Sequence, residues 1–376
     1  MPMTSRIKIS IIILLCSLFF YSTSFGQPVN NKKIMFSDSI IEYNQHFLSL
    51  DERYLAIIKW LGRDKPSGYR TSDIFFLEIL SNQSSPVTIG SFLGYSQFWY
   101  IEKNGIAWDL NNNFYFLLKK LSGISTFYKY NIKKGEMKEM QLKLNISITN
   151  PLAISPDGCN IIFSVNENSQ KGHSDKDLYL YNLKNNSAKI IGKNVCDFSP
   201  APVWLENHKI FYCKNNNLYL YNLLNNEAEK ITDFTNGLID YLQPWYKGNK
   251  LFFMRRNPPL ETLIEETEEW LRTEEKYKAK KPLYIREFWE IDLNTHRNKM
   301  IASFETMKNG IINDDSSIII PLPREKDNYH LYLAKKDGNR QLTFGDVVDD
   351  LPIIISKDKV IFRRNYKEIM MLEMRK

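Results

Sequence analysis

The sequence is poor in the residues that define several large protein classes. Its 376 residues include only four cysteines, 16 glycines and 15 prolines. Four cysteines are too few for a scaffold built on disulfides, and the glycine and proline contents exclude collagen-like and low-complexity chains. Apart from one run near the N-terminus, no long apolar stretch occurs. With 43% hydrophobic and 13% aromatic residues, the chain can nevertheless bury a large core.

The signatures of common catalytic and cofactor sites are also absent from the sequence. A nucleophile elbow, G-x-S-x-G, needs two glycines four residues apart; only Gly90 and Gly94 have that spacing, and Phe92 stands where the serine is required. No C-x-x-C, H-E-x-x-H, P-loop or G-x-G-x-x-G motif occurs. The histidines are widely spaced, at His46, His173, His208, His296 and His330. We therefore expect no cofactor and no metal site. The question of catalysis stays open, but the sequence favours a non-enzymatic role.

The net charge of +7 is small for a chain of this length. Two of the positive charges, Arg6 and Lys8, lie in an N-terminal segment that we expect to be removed, which leaves +5. So mild an excess of positive charge does not favour nucleic-acid binding.

The N-terminus has the three parts of a secretory signal peptide. A positive flank precedes a mostly apolar run at 9–21, which is too short to span a bilayer comfortably. Small residues, Ser24 and Gly26, then occupy the −3 and −1 positions of a cleavage site. We expect residues 1–26 to be removed and 27–376 to be periplasmic or secreted, with no transmembrane span. An uncleaved N-terminal anchor is the alternative.

Three cysteines remain in the expected mature chain, so at least one of them has no disulfide partner within the chain. Cys196 and Cys213 could meet if their strands are neighbours. Their spacing does not decide whether they pair.

The mature chain is built from a repeated unit that is clearest at 150–192. The apolar stretch NPLAI leads into Ser155-Pro156-Asp157-Gly158, a sequence typical of a tight turn. Further apolar stretches follow at 160–165, 177–183 and 188–191, separated by turn residues. Four antiparallel strands in about 43 residues are the size of one blade of a β-propeller.

The turn and second strand of this unit recur seven times. The copies centre on Asp51, Asn112, Asp157, Glu206, Lys247, Asp314 and Lys357. The last copy lacks a fourth strand, whereas 33–37 form an unassigned strand before the first copy. In a closed ring an N-terminal strand can complete the last blade, so that no edge stays unpaired. The sequence therefore predicts an all-β, single-domain propeller of about seven four-stranded blades. Six blades stay possible because the first two copies are irregular.

The same residues resemble a known repeat. The SPDG turn with DLYLY at 177–181, and RQLTF at 340–344, look like the TolB-like, or PD40 (WD40-like), propeller repeat. The resemblance covers most of the mature chain, although only the copy at 150–192 carries the full turn. It implies a β-propeller and often a periplasmic or secreted setting. It does not imply one activity, since this fold hosts many.

One segment departs from the blade pattern. Residues 258–284 carry apolar side chains at helical spacing, among them Leu263, Ile264 and Trp270, with glutamates in the first half and lysines in the second. That charge order suits the helix dipole, so we expect an amphipathic helix inserted between the second and third strands of its blade. The helix either packs on its own blade or docks a protein partner through these three side chains.

Arginines directly follow two of the predicted second strands. Arg255 and Arg256 follow one of them, and Arg363 and Arg364 follow the other. Loops of this kind converge on one rim of a propeller, and arginine binds carboxylates and phosphates through paired hydrogen bonds. These four residues could therefore bind an anionic ligand, with Trp245 stacking on it from the channel. Alternatively, Trp245 packs in the core and acidic loop residues balance the arginines. The acidic residues in question are Asp64, Asp73, Asp175, Asp177, Glu325 and Asp327.

Two functions are consistent with these observations. The leading hypothesis is an exported, non-catalytic propeller that binds a protein partner in the cell envelope. The alternative is a propeller that binds a glycan or an anionic small ligand at the arginine-bearing rim, with or without catalysis. The sequence does not identify the partner or the ligand.

Overall fold

All the regular secondary structure that can be described is β-strand. A computed structural model describes residues 32–374, apart from 38–42, 64–69, 80, 82, 88–98, 121–124, 143–147, 166–175, 196–199, 243–248, 258–284, 307, 314, 324–327, 336–337 and 357. Its 28 strands form seven four-stranded antiparallel sheets. The predicted all-β propeller is confirmed, and the number of blades is seven.

The first four blades take their strands in chain order. Blade 1 contains β2 (Tyr43–Leu48), β3 (Tyr54–Arg63), β4 (Arg70–Glu78) and β5 (Gln83–Val87). Blade 2 contains β6 (Trp99–Trp108), β7 (Asn113–Lys120), β8 (Ser125–Asn131) and β9 (Glu136–Glu139). Blade 3 contains β10 (Ile148–Ile154), β11 (Asn160–Val165), β12 (Lys176–Asn182) and β13 (Ser187–Val195). Blade 4 contains β14 (Val203–Leu205), β15 (Lys209–Lys214), β16 (Asn217–Asn222) and β17 (Glu227–Lys230).

The last three blades include the one that joins the two ends of the chain. Blade 5 contains β18 (Leu238–Leu242), β19 (Lys250–Asn257), β20 (Ile285–Asp292) and β21 (Asn298–Glu305). Blade 6 contains β22 (Ile311–Ile312), β23 (Ile318–Pro323), β24 (Tyr329–Lys335) and β25 (Gly338–Gln341). Blade 7 contains β26 (Asp349–Ser356), β27 (Lys359–Arg364), β28 (Glu368–Glu373) and β1 (Lys32–Ser37).

Blade 7 is completed by the N-terminal strand. β1 pairs antiparallel with β28, so that Lys32 lies opposite Leu372 and Ser37 lies opposite Glu368. The C-terminal repeat supplies three strands and the N-terminus supplies the fourth, which confirms the predicted closure. Neither end of the chain leaves this blade with a missing strand.

The core is divided into seven hydrophobic clusters, each of which lies between two neighbouring blades. The cluster that closes the ring packs Leu55 and Ile57 of blade 1 against Ile361 and Ile369 of blade 7. A twisted sheet that is apolar on both faces needs a neighbour on each side to keep water away. The blades therefore stabilise one another around the ring, and the loops at its rims rest on these clusters.

The third strand of four blades ends in an asparagine or aspartate that forms the following turn. Asn131, Asn182, Asn222 and Asp292 close this strand in four blades, and the Oδ1 atom of each accepts a hydrogen bond from a backbone N–H two or three residues later, at 2.9–3.0 Å. An Asx side chain can fold the chain back in this way without a glycine. The repeated asparagine is therefore a turn former.

The chain connections alternate between two rims of the ring. The upper rim carries the connections from second to third strands and those from one blade to the next. The lower rim carries the turns from first to second and from third to fourth strands. The predicted helix at 258–284 connects β19 to β20, so it belongs to an upper-rim connection, but it lies outside the described residues.

In the part of the chain described above, no helix is long and apolar enough to cross a membrane.

The turn from first to second strand in blade 3 has the glycine where the backbone requires it. Gly158 has φ +70° and its N–H donates to the Ser155 carbonyl at 2.8 Å. A Cβ atom at this position would lie 2.6 Å from Oδ2 of Asp109 in the neighbouring blade. Glu206 holds a similar φ of 59° in the corresponding turn of blade 4.

Substitution at these two turns is expected to change stability in opposite directions. Gly158→Ala should lower the free energy of unfolding by about 2 kcal/mol, because left-handed backbone is unfavourable for residues with a Cβ and Asp109 would have to move. Glu206→Gly should raise it by up to about 1 kcal/mol, because the same strain is released at an exposed position. Urea denaturation of both variants measures the difference. Equal effects of the two substitutions would contradict this account of the turns.

Candidate functional site at the upper rim

The arginines that end β27 are paired with acidic residues that begin β26. Arg363 lies opposite Asp350 and Arg364 lies opposite Asp349 in the antiparallel register. Adjacent residues of a strand point to opposite faces, so the two pairs form on opposite faces of the sheet. Each arginine makes two hydrogen bonds to its aspartate, from Nε at 2.7 Å and from Nη2 at 2.8 Å. Both aspartates are buried. Two carboxylates from inside the blade therefore neutralise these arginines.

A lysine from the connection between blades 5 and 6 joins one of these pairs. The Nζ atom of Lys308 lies 2.9 Å from Oδ2 of Asp350, and 5.2 Å and 5.7 Å from the ring centres of Tyr329 and Tyr366. The guanidinium of Arg363 lies 4.7 Å from the ring centre of Tyr366. We call these five residues the Lys308 cluster. Two cations, Lys308 and Arg363, therefore share the Asp350 carboxylate within it.

The surroundings of Asp350 shift its acid–base equilibrium. Burial alone would raise the pKa of this carboxyl, but the hydrogen bonds and positive charges of Arg363 and Lys308 outweigh burial and hold the pKa below its usual value. A carboxyl with a lowered pKa in the folded state stabilises the fold above its pKa in the unfolded chain. That stabilisation is lost as the pH falls through the folded-state pKa.

Acid titration of stability should reveal this carboxyl. Below about pH 4, the free energy of unfolding of the wild-type protein should fall more steeply with decreasing pH than that of Asp350→Asn, because the unfolded chain takes up the Asp350 proton first. Urea denaturation at a series of pH values gives the two slopes. Parallel slopes would show that Asp350 does not have a depressed pKa.

Arg255 of blade 5 is also bound by residues of this same chain. Arg255 is buried, donates from Nη1 to Glu287 at 2.7 Å, hydrogen-bonds the Asn236 carbonyl and stacks 3.8 Å from the Phe234 ring centre. Arg256 is half-buried on the other face of the strand. Blade 6 separates these residues from the arginines of blade 7, so the structure does not bring the four predicted arginines into one group. Their role in binding a ligand stays a prediction.

The remaining predicted site residues cannot be placed. Trp245 and the three residues expected to contact a partner, Leu263, Ile264 and Trp270, lie outside the described residues. Cys213 is buried and Cys196 is likewise not described, so their pairing stays open. Across the described ranges, no three His, Cys, Asp or Glu side chains come together closely enough to hold a metal ion.

Sequence reasoning missed an unusual turn of the upper rim. Asn365 and Tyr366 form the turn from β27 to β28, with φ values of 50° and 61°, and the next N–H donates to the Arg364 carbonyl at 3.0 Å. Two consecutive left-handed residues are the pattern of a type I′ turn, in which Asn-Gly is strongly preferred. Tyr366 therefore holds a position suited to glycine while 40% of its surface is exposed. The signal was present in the sequence, since RNYK stands between two apolar strands.

A second exposed aromatic side chain lies on the connection from blade 6 to blade 7. Phe344 is 48% exposed, two residues before Asp346, whose carboxylate accepts a hydrogen bond from Asn328. Tyr366 lies beside the Arg363–Asp350 pair, and Phe344 lies on the connection that leads into β26. The upper rim here combines exposed aromatic surface with charges that are largely paired inside the protein.

Comparison with known proteins supports the fold but does not identify the chain. Residues 155–243 match the family described as the dipeptidyl peptidase IV (DPP IV) N-terminal region. This match covers the last three strands of blade 3, all of blade 4 and the first strand of blade 5, and it is too short to place the whole chain in that family. No curated protein compared with the chain matches it.

Similar solved structures include a lyase, the propeller domain of a protease and TolB. An oligogalacturonate lyase in complex with manganese is 12% identical, with a TM-score of 0.55 over 92% of this chain and 96% of that one. The β-propeller domain of the Trilobed protease from Pyrococcus furiosus is 9% identical, with a TM-score of 0.54 over 89% and 94%. TolB from Acinetobacter baumannii is 12% identical, with a TM-score of 0.39 over 86% and 80%. At such identities the similarity shows a propeller fold alone, so the narrower TolB-like resemblance stays a prediction.

Proposed function

We propose that this chain is an exported, non-catalytic β-propeller that binds a protein partner of the cell envelope through its upper rim. The observation that carries the proposal is the pair of exposed aromatic residues on this rim: Tyr366 lies beside the Arg363–Asp350 pair, and Phe344 lies on the connection that leads into β26. Aromatic residues and arginine are enriched at protein interfaces, and unpaired charges are depleted from their centres. The predicted helix at 258–284 would extend this same rim.

The proposal favours a protein partner over an anionic small ligand for a specific reason. Asp350 and Asp349 already occupy the paired donors of Arg363 and Arg364, and Glu287 binds Arg255. An anion would have to displace these carboxylates before it could use the same donors. A glycan or anionic small ligand therefore has less support from the structure than it had from the sequence.

Affinity capture from native envelope tests the proposed function. The bait is the chain 27–376, compared with a variant that lacks 260–281 and with Phe344→Ser on the upper rim. Leu224→Ser is the matched control, because Leu224 is 75% exposed on the lower rim. We expect both upper-rim variants to recover less than about a tenth of the partner and the control to recover wild-type amounts. Equal recovery by all four baits, or no partner at all, would contradict the proposal.

Export requires its own test because the structure does not describe residues 1–31. A fusion of residues 1–40 to alkaline phosphatase lacking its own signal should be active, since this enzyme folds only where disulfides form. Replacing two apolar residues of 9–21 by arginine should abolish that activity. An active fusion that keeps its full length would indicate the uncleaved anchor instead of a cleaved signal peptide.

A further inference from the structure

We propose that the Lys308 cluster binds a carboxylate carried by a peptide partner, with Lys308 as the charged contact and Tyr366 as the stacking surface. This inference rests on the proposed function and adds the chemistry that the upper rim recognises. It assigns the contact to a lysine and a tyrosine, neither of which the arginine motifs of the sequence indicate.

Lys308 is the cation of the cluster that can meet a negative charge from outside. Its ammonium and the Arg363 guanidinium share the Asp350 carboxylate. Arg363 already uses its Nε and Nη2 donors on Asp350, whereas the Lys308 ammonium has three donors and gives one of them to Asp350. The Lys308 side chain is 25% exposed and that of Asp350 only 2%. An incoming carboxylate would therefore meet the ammonium and not the buried aspartate.

The backbone at Tyr366 indicates that this ring is held in place for a purpose other than the turn itself. The hairpin from β15 to β16 in blade 4 has the same pair of left-handed residues, and there they are Asn215 and Asn216, with φ values of 48° and 59°. Asparagine tolerates this conformation, whereas an aromatic residue in it is strained. Strained residues concentrate where a side chain must be presented to a ligand. Blade 4 shows that the fold closes the same turn without a tyrosine.

The aromatic rings around Lys308 favour a carboxylate that has apolar side chains next to it in the peptide. Tyr329 and Tyr366 border the ammonium, and exposed Phe344 lies on the adjacent connection, so an apolar side chain next to the carboxylate would also find a surface. A phosphate would favour the forked donors of an arginine, and Asp350 and Asp349 occupy those of Arg363 and Arg364. A glutamate or aspartate flanked by aromatic residues fits the site best.

Two labelled peptides test the site. The acidic peptide is acetyl-Gly-Phe-Glu-Phe-Gly-amide, and its partner carries Gln in place of Glu; fluorescence anisotropy gives the Kd of each. We expect wild-type protein to bind the acidic peptide at least about tenfold more tightly. Lys308→Met should remove that preference and Lys308→Arg should keep it. Tyr366→Gly should weaken binding of both peptides about tenfold, although it creates the preferred Asn-Gly turn.

Matched controls separate the site from general effects on folding. Lys250 makes a similar pair with Glu290 at 3.0 Å on the lower rim, so Lys250→Met should leave both affinities unchanged. Asn216→Gly changes the equivalent turn of blade 4 and should also have no effect. Equal binding of the two peptides by wild-type protein, or an acidic preference that survives Lys308→Met, would overturn the inference. In a further outcome the two peptides bind equally while Phe344→Ser still reduces the recovery of the partner in affinity capture. That result would support the proposed function and overturn only the carboxylate site.

Discussion

Asp350→Asn is expected to lower the free energy of unfolding by about 3–5 kcal/mol. The substitution removes the carboxylate that binds both Arg363 and Lys308, so the buried guanidinium of Arg363 loses the acceptor of two of its hydrogen bonds. Breaking one partner of a buried ion pair has effects of this size because the remaining charge stays desolvated. Urea denaturation at neutral pH measures the loss.

A carboxylate of the same blade provides the control for this prediction. Glu373 pairs with Lys359 at 3.7 Å, and about two fifths of each side chain is exposed. Glu373→Gln should therefore change stability by less than about 1 kcal/mol. If Asp350→Asn were as mild as Glu373→Gln, the paired charges could not be a fixed part of the upper rim, and the basis of the proposed site would fail.

Asp109→Ala should have the second-largest effect, a loss of about 3 kcal/mol. Oδ1 of this buried carboxylate accepts from the backbone N–H groups of Asn111 and Asn113, each at 2.9 Å. Oδ2 accepts from the Asn113 side chain at 2.7 Å and from the Tyr115 hydroxyl at 3.0 Å. Alanine leaves these donors without an acceptor inside the protein, and an unsatisfied buried donor is costly.

Asp109→Asn shows how much of that effect belongs to the charge. The amide keeps one oxygen for the two backbone donors of the turn, so its loss should be about half that of alanine. Thermal and urea unfolding of both variants give the comparison. A loss of less than about 1 kcal/mol for Asp109→Ala would contradict this account. It would mean that water replaces the carboxylate and that Asp109 does not hold the turn between β6 and β7.

The blade pattern could be predicted because each blade repeats the same local chemistry. DLYLYN and NLYLYN alternate leucine with tyrosine and end in a turn-forming asparagine, so strand and turn are both encoded within a few residues. Closure by the N-terminal strand could be predicted by counting strands. The last repeat lacked its fourth strand, and the strand at 33–37 belonged to no repeat. Both inferences use local sequence and simple topology.

The pairing of the arginines could not be predicted in the same way. The register between β26 and β27 shifts between Asp350 and Ile353, and Leu351 adopts a φ of 50° there. A shift of one residue exchanges the faces of a strand, so the sequence alone does not tell which arginine meets which aspartate. The sequence offered acidic loop residues as one possible set of partners for the arginines, and the structure adds Asp349 and Asp350 from the strand beside them in blade 7. The position of Lys308 beside Asp350 likewise depends on how blades 6 and 7 assemble.

Site-specific photocrosslinking in intact cells tests the central claim most directly. A photoreactive phenylalanine analogue at position 366 probes the upper rim, and the same analogue at position 224 probes the lower rim. The proposal predicts a discrete crosslinked envelope protein from position 366 and none from position 224. Crosslinks of equal strength from both positions, or none from position 366, would contradict a partner-binding upper rim.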